Sequence, residues 1–159
     1  MKNTAKLIIA STLMLCLMLA LASCSLIEDK GTYEMGNDSI ISVKSVLGEM
    51  GARKMTSFNI SINNGVQTNI YTYTTDPNDA KQAANDMAKY FQFICDNEGF
   101  LSMVTFDGLP YEGGVEMRFG KNSVDEGKII ILEIEYDTKG YTLTFTKCEG
   151  SLTPRDGDI

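Results

Sequence analysis

The sequence predicts an α+β domain: a single antiparallel sheet with two helices packed on one face, in the order αββαββββ. Three observations carry that prediction. Helical apolar spacing appears over residues 39–50 and again behind Asp76-Pro77. Period-two alternation recurs in Phe58, Ile60 and Ile62 and in Ile130, Leu132 and Ile134. Turn formers, Asn63-Asn64-Gly65 and Asp137-Thr138-Lys139-Gly140, divide the alternating runs into hairpins.

Taken in order, the chain opens with Lys2 and Lys6, an apolar run over residues 7–20, and Leu21-Ala22-Ser23-Cys24. The run is shorter than the roughly 20 residues a spanning helix needs. A plain secretory signal would need only a small residue before the cut, with the cysteine there by chance. The segment resembles the signal peptide and lipobox of a bacterial lipoprotein precursor, and the resemblance covers this segment alone. It implies cleavage before Cys24, a diacylglyceryl thioether on that residue, and an extracytoplasmic domain anchored to the cell membrane. Each buried methylene contributes about 0.8 kcal/mol, so two or more chains hold firmly where one holds marginally.

The expected organisation is a signal peptide at 1–23, a lipid-anchored tether at 24–37, one domain at 38–148 and a polar tail at 149–159. Residues 25–37 show no clear period, and a flexible chain of that length spans on the order of 20 Å. The first helix is expected over about 39–50, capped by Asp38 or Ser39, with Ile40, Val43, Val46, Leu47 and Met50 on one face. A strand through Phe58, Ile60 and Ile62 follows. Its hairpin is expected to close with three residues, pairing Ile62 with Val66 and Phe58 with Ile70 so that apolar meets apolar. Tyr71 and Tyr73 then lie on the solvent face.

Asp76 caps the second helix, Pro77 takes its first position, and Gly99 stops it after about Asn97. Its buried stripe is expected to be Ala80, Ala84, Met87, Ala88, Phe91, Ile94 and Cys95. Strands follow at 101–106 and around Val115, Met117 and Phe119. In the last hairpin a four-residue loop pairs Tyr136 with Tyr141, Ile134 with Leu143 and Leu132 with Phe145. Glu133 and Glu135 then face Thr144 and Thr142 on a wet side.

Loss of residues 1–23 removes two lysines and no acid, taking the net charge from −7 to −9. An acidic surface argues against nucleic acid, whose affinity comes from basic groups on phosphates. The chain has no histidine, which removes the commonest general base and metal ligand. No cofactor or metal motif is present. Glu133 and Glu135 are a paired-carboxylate candidate, but a solvated sheet face explains them. Cys95 and Cys148 are expected to stay unbonded, because helix and strand place them on opposite sides of the sheet.

The remaining candidates are for binding. Leu109 and Tyr111 lie in a loop, 107–114, with three glycines and a proline; they either cap the core or form a binding tip. Tyr71 and Tyr73, if exposed, could stack a sugar or anchor a protein. The expected function is therefore a membrane-anchored binding domain for an envelope protein or cell-wall component, and not an enzyme. Two alternatives stand beside it: an inhibitor or sequestering protein for a cationic envelope enzyme, and a hydrolase using only carboxylates such as Glu133 or Asp107.

Overall fold

The structure is a computed structural model that describes residues 29–48, 51–102 and 117–152. Its order is β1 (Thr32–Met35), β2 (Asp38–Ile41), α1 (Val43–Leu47), β3 (Lys54–Asn63), β4 (Val66–Thr74), α2 (Gln82–Glu98), β5 (Leu101–Ser102), β6 (Met117–Asn122), β7 (Lys128–Tyr136) and β8 (Gly140–Glu149). This corrects the α+β expectation of a single sheet in the order αββαββββ. Strand predominates, and the strands form a six-stranded antiparallel sheet, β3-β4-β8-β7-β6-β5, and a separate hairpin, β1-β2.

The difference begins at the expected tether. Tyr33 and Met35 alternate with Thr32 and Glu34, and both are buried. Gly36 adopts φ 66°, closing a two-residue turn with Asn37 that pairs Met35 with Asp38. Residues 32–37 thus belong to the folded unit, and the domain does not begin at 38. The apolar spacing from Ile40 onward is divided between two elements. Ile40 sits in β2; Ser42 then caps the five-residue α1, its Oγ accepting the Ser45 N–H at 3.3 Å. The cap is therefore neither Asp38 nor Ser39.

Buried polar groups hold the small hairpin on the sheet. Lys147 continues the core-facing series Leu143, Phe145 along β8. Its Nζ donates to Asp38 Oδ2 at 2.6 Å and to the Met35 carbonyl at 2.9 Å, and pairs with Asp125 at 2.7 Å. Asn69 Nδ2 donates to the Glu34 carbonyl at 2.8 Å. A core charge with all its donors satisfied acts as a positional pin rather than a large source of stability.

Helix α2 starts at Gln82, five residues beyond the expected first position. Asp76 instead organises a turn, accepting from the Asn78 N–H at 2.9 Å, while the Gln82 side chain accepts the Asp76 N–H. Gly99 ends the helix in the left-handed region, φ 73°, as expected. The buried stripe is Ala83, Asp86, Met87, Tyr90 and Ile94, so Ala84 and Ala88 face solvent. Arg53 explains the buried acid: its guanidinium grips Asp86 at 2.5 and 2.8 Å.

The last hairpin has the expected register, Tyr136 opposite Tyr141 through Leu132 opposite Phe145. Gly140 must be glycine, since a Cβ there would lie 2.0 Å from the Tyr73 carbonyl oxygen on β4. The core lies on one face of the sheet, where Leu132, Ile134, Leu143 and Phe145 meet α2 and the β1-β2 hairpin. Cys95 and Cys148 are free thiols. The first residues of the expected tail are held, because Asn122 and Leu152 exchange hydrogen bonds at 2.9 and 3.2 Å.

Candidate functional site

The β3–β4 hairpin closes with two residues, not three. Asn64 (φ 49°) and Gly65 (φ 81°) both adopt positive φ, as a tight two-residue turn requires. Phe58 therefore pairs with Tyr71, Ile60 with Asn69 and Ile62 with Gln67. The one-residue change of register turns Tyr71 and Tyr73 into the core, at 8% and 1% exposure. They are not the exposed aromatics expected at these positions.

Phe58, Ile60 and Ile62 now project from the same face of the sheet as the core, beyond its cover. They remain 52%, 51% and 73% exposed. β3 is an edge strand, and β1 lies alongside. Between them runs a groove of about 120 Å³ walled by Met55, Phe58 and Ile60 on one side and by Thr32 and Glu34 on the other. Aromatic rings tie the wall to the core: Phe58 stacks on Tyr71 at 6.5 Å, Tyr71 meets Tyr33 at a tilt at 4.2 Å, and Tyr33 meets Phe145 at 5.3 Å.

At one end of the groove stands Asp29. Its Oδ2 accepts the Tyr73 hydroxyl at 3.0 Å, so Tyr73 in turn accepts from Tyr33 at 2.7 Å. Tyr33 accepts the Val43 N–H at 3.1 Å. The chain of donors thus runs from the α1 backbone to the carboxylate. Asp29 Oδ1 is buried and has no hydrogen-bond partner among the described residues. Burial pushes the Asp29 carboxyl above its ordinary range, partly offset by Tyr73 and by Lys44 nearby. A desolvated carboxylate oxygen beside an apolar wall suits a ligand that brings a cation or an N–H donor next to an apolar group.

A wider depression of about 390 Å³ lies where β4 meets the β7–β8 turn. Its acids, Glu135 and Asp137, are exposed, and Asp137 already accepts the Lys139 and Gly140 amides. Glu133 is ion-paired with Arg118 on the reverse face. Among the described residues no three His, Cys, Asp or Glu side chains cluster as metal ligands.

Leu109, Tyr111, Asp107 and Cys24 lie outside the described residues. Sequence reasoning missed Asp29, assigned to the tether, and the exposure of the Phe58 row. The Asn64-Gly65 dipeptide was the available signal for the second. Comparison with protein-family models, curated proteins and solved structures returns no match for this chain.

Proposed function

We propose that the chain is a lipid-anchored, extracytoplasmic binding domain that engages an envelope protein through the groove between β1 and β3. The observation that carries this reading is the Asp29 oxygen, buried without a partner at the end of an apolar wall that stays open to solvent. A protein segment with an apolar residue fits the wall, and a basic residue beside it is drawn by the field of the Asp29 carboxylate rather than by direct contact with the buried oxygen. Glu34, exposed on the opposite wall, adds a second negative charge, against one positive charge from the exposed Lys30 on the same lining. A cationic envelope enzyme held in check by this domain is one partner of that chemistry. A cell-wall glycan is less well matched, because the tyrosine platform that would have stacked it is buried.

Capture from detergent-solubilised envelope tests the groove. Glu34→Arg reverses a rim charge at an exposed position and should leave the fold intact. Partner recovery is expected to fall about tenfold, the equivalent of about 1.4 kcal/mol. Unchanged recovery with an unchanged melting temperature would remove the groove as the site.

A further inference from the structure

We propose that the outer edge of β3 pairs with the same strand of a second copy, joining two sheets into one around a two-fold axis at Ile60. This goes beyond the groove reading, since it uses the backbone edge of β3 that, among the described residues, no strand pairs. A two-residue turn closes on a hydrogen-bonded pair, here Asn63 and Val66. By the alternation of an antiparallel ladder, Ser61 and Asn59 then also bond to β4. The N–H and C=O groups of Phe58, Ile60 and Ile62 point to the open side.

Among the described residues, the stretch without an outer partner is bounded by an irregularity between Met55 and Ser57 at one end and by the turn after Asn63 at the other. Its midpoint is Ile60. A two-fold axis there sets Ile60 against Ile60, Phe58 against Ile62, Asn59 against Ser61 and Ser57 against Asn63. Apolar meets apolar on one face and polar meets polar on the other. Proteins commonly protect long edges with charges, yet residues 55–63 carry none in a chain of net charge −7. Self-approach at this edge therefore sets no like charges of the strand against each other.

Edge pairing buries the facing backbone and only part of the Phe58, Ile60 and Ile62 side chains, which stay on the sheet face, so the contact falls below the roughly 1,200 Å² at which standard interfaces begin. Such a pair is weak in free solution and is favoured by confinement on a membrane. It is also closed: an isologous contact uses up the β3 edge on both copies.

Disulfide capture in the full-length chain at its membrane tests the register. Ile60→Cys should form an oxidised dimer in at least tenfold higher yield than Val124→Cys, a control that is more exposed, at 72% against 51%. Phe58→Cys alone should cross-link poorly, and mixing it with Ile62→Cys chains should restore the dimer. The unsubstituted chain reports the background from its native cysteines. Equal yields at positions 60 and 124, or efficient Phe58→Cys self-linkage, would overturn the pairing. The Glu34→Arg capture assay is independent, so a chain that captures its partner but fails to cross-link refutes the dimer alone.

Discussion

Lys147 shows how much one residue organises. It occupies a core position on β8 and satisfies Asp38, Asp125 and the Met35 carbonyl at once. Lys147→Met would leave the buried Asp38 carboxylate without its cation, held only by the Ser123 hydroxyl and the Val124 N–H, at a cost of about 3 kcal/mol. The pair also predicts a pH dependence. Burial raises the Asp38 pKa, but bonds from Lys147, Ser123 and the Val124 N–H outweigh it and hold the carboxyl below its ordinary value. On acidification the unfolded chain therefore takes up a proton before the folded one. The stabilisation is present above the unfolded pKa and is lost as pH falls through the folded one, below about pH 4. Denaturant midpoints measured against pH should fall in that window for the native chain and stay flatter for Lys147→Met; parallel curves would show that the pair is not the source. This residue was legible in part. Its parity with Leu143 and Phe145 marks it for the core, but nothing in the sequence says that its partners come from residues 35, 38 and 125. Asp29 was less legible, because its burial depends on the Tyr33–Tyr73 hydroxyl chain, which exists only once β1 has docked.

The elements divide by how strongly their local chemistry constrains them. The β7–β8 hairpin was readable because both faces agree on one register. The β3–β4 hairpin set two rules in conflict, apolar matching and turn chemistry, and turn chemistry prevailed. An uncovered edge strand has no core to enforce the matching, whereas Asn64-Gly65 strongly favours a two-residue turn. β1 went unread because four residues of alternation are too short a signal beside a loop-like composition. Its burial gives an expectation that reverses the tether reading. A chain beginning at Asn37 would lose Tyr33 and Met35, both buried, together with the Met35 carbonyl that Lys147 binds. Thermal unfolding of that chain should show a broad transition at much lower temperature than a chain beginning at residue 25. Equal cooperative transitions would mean that the β1-β2 hairpin contributes little to the fold.

Across the described residues, the main core occupies one side of the large sheet, Ile129 and Ile131 are buried on the other, and the cover stops short of β3. The hairpin and α2 bury Tyr71, Tyr73 and the centre of the sheet, while Phe58, Ile60 and Ile62 continue the same face into solvent. An exposed apolar row on an edge is a hazard for a freely diffusing protein and an asset for one that docks. We propose that this row and the adjacent groove work at the membrane surface. The most direct measurement replaces Phe58 with a photoreactive phenylalanine analogue in living cells, with position 124 as the control. Covalent adducts are expected from position 58, few from position 124, and the position-58 adducts should disappear when Cys24→Ala removes the proposed anchor. Equal adducts from both positions, or position-58 adducts that persist undiminished without Cys24, would contradict that proposal.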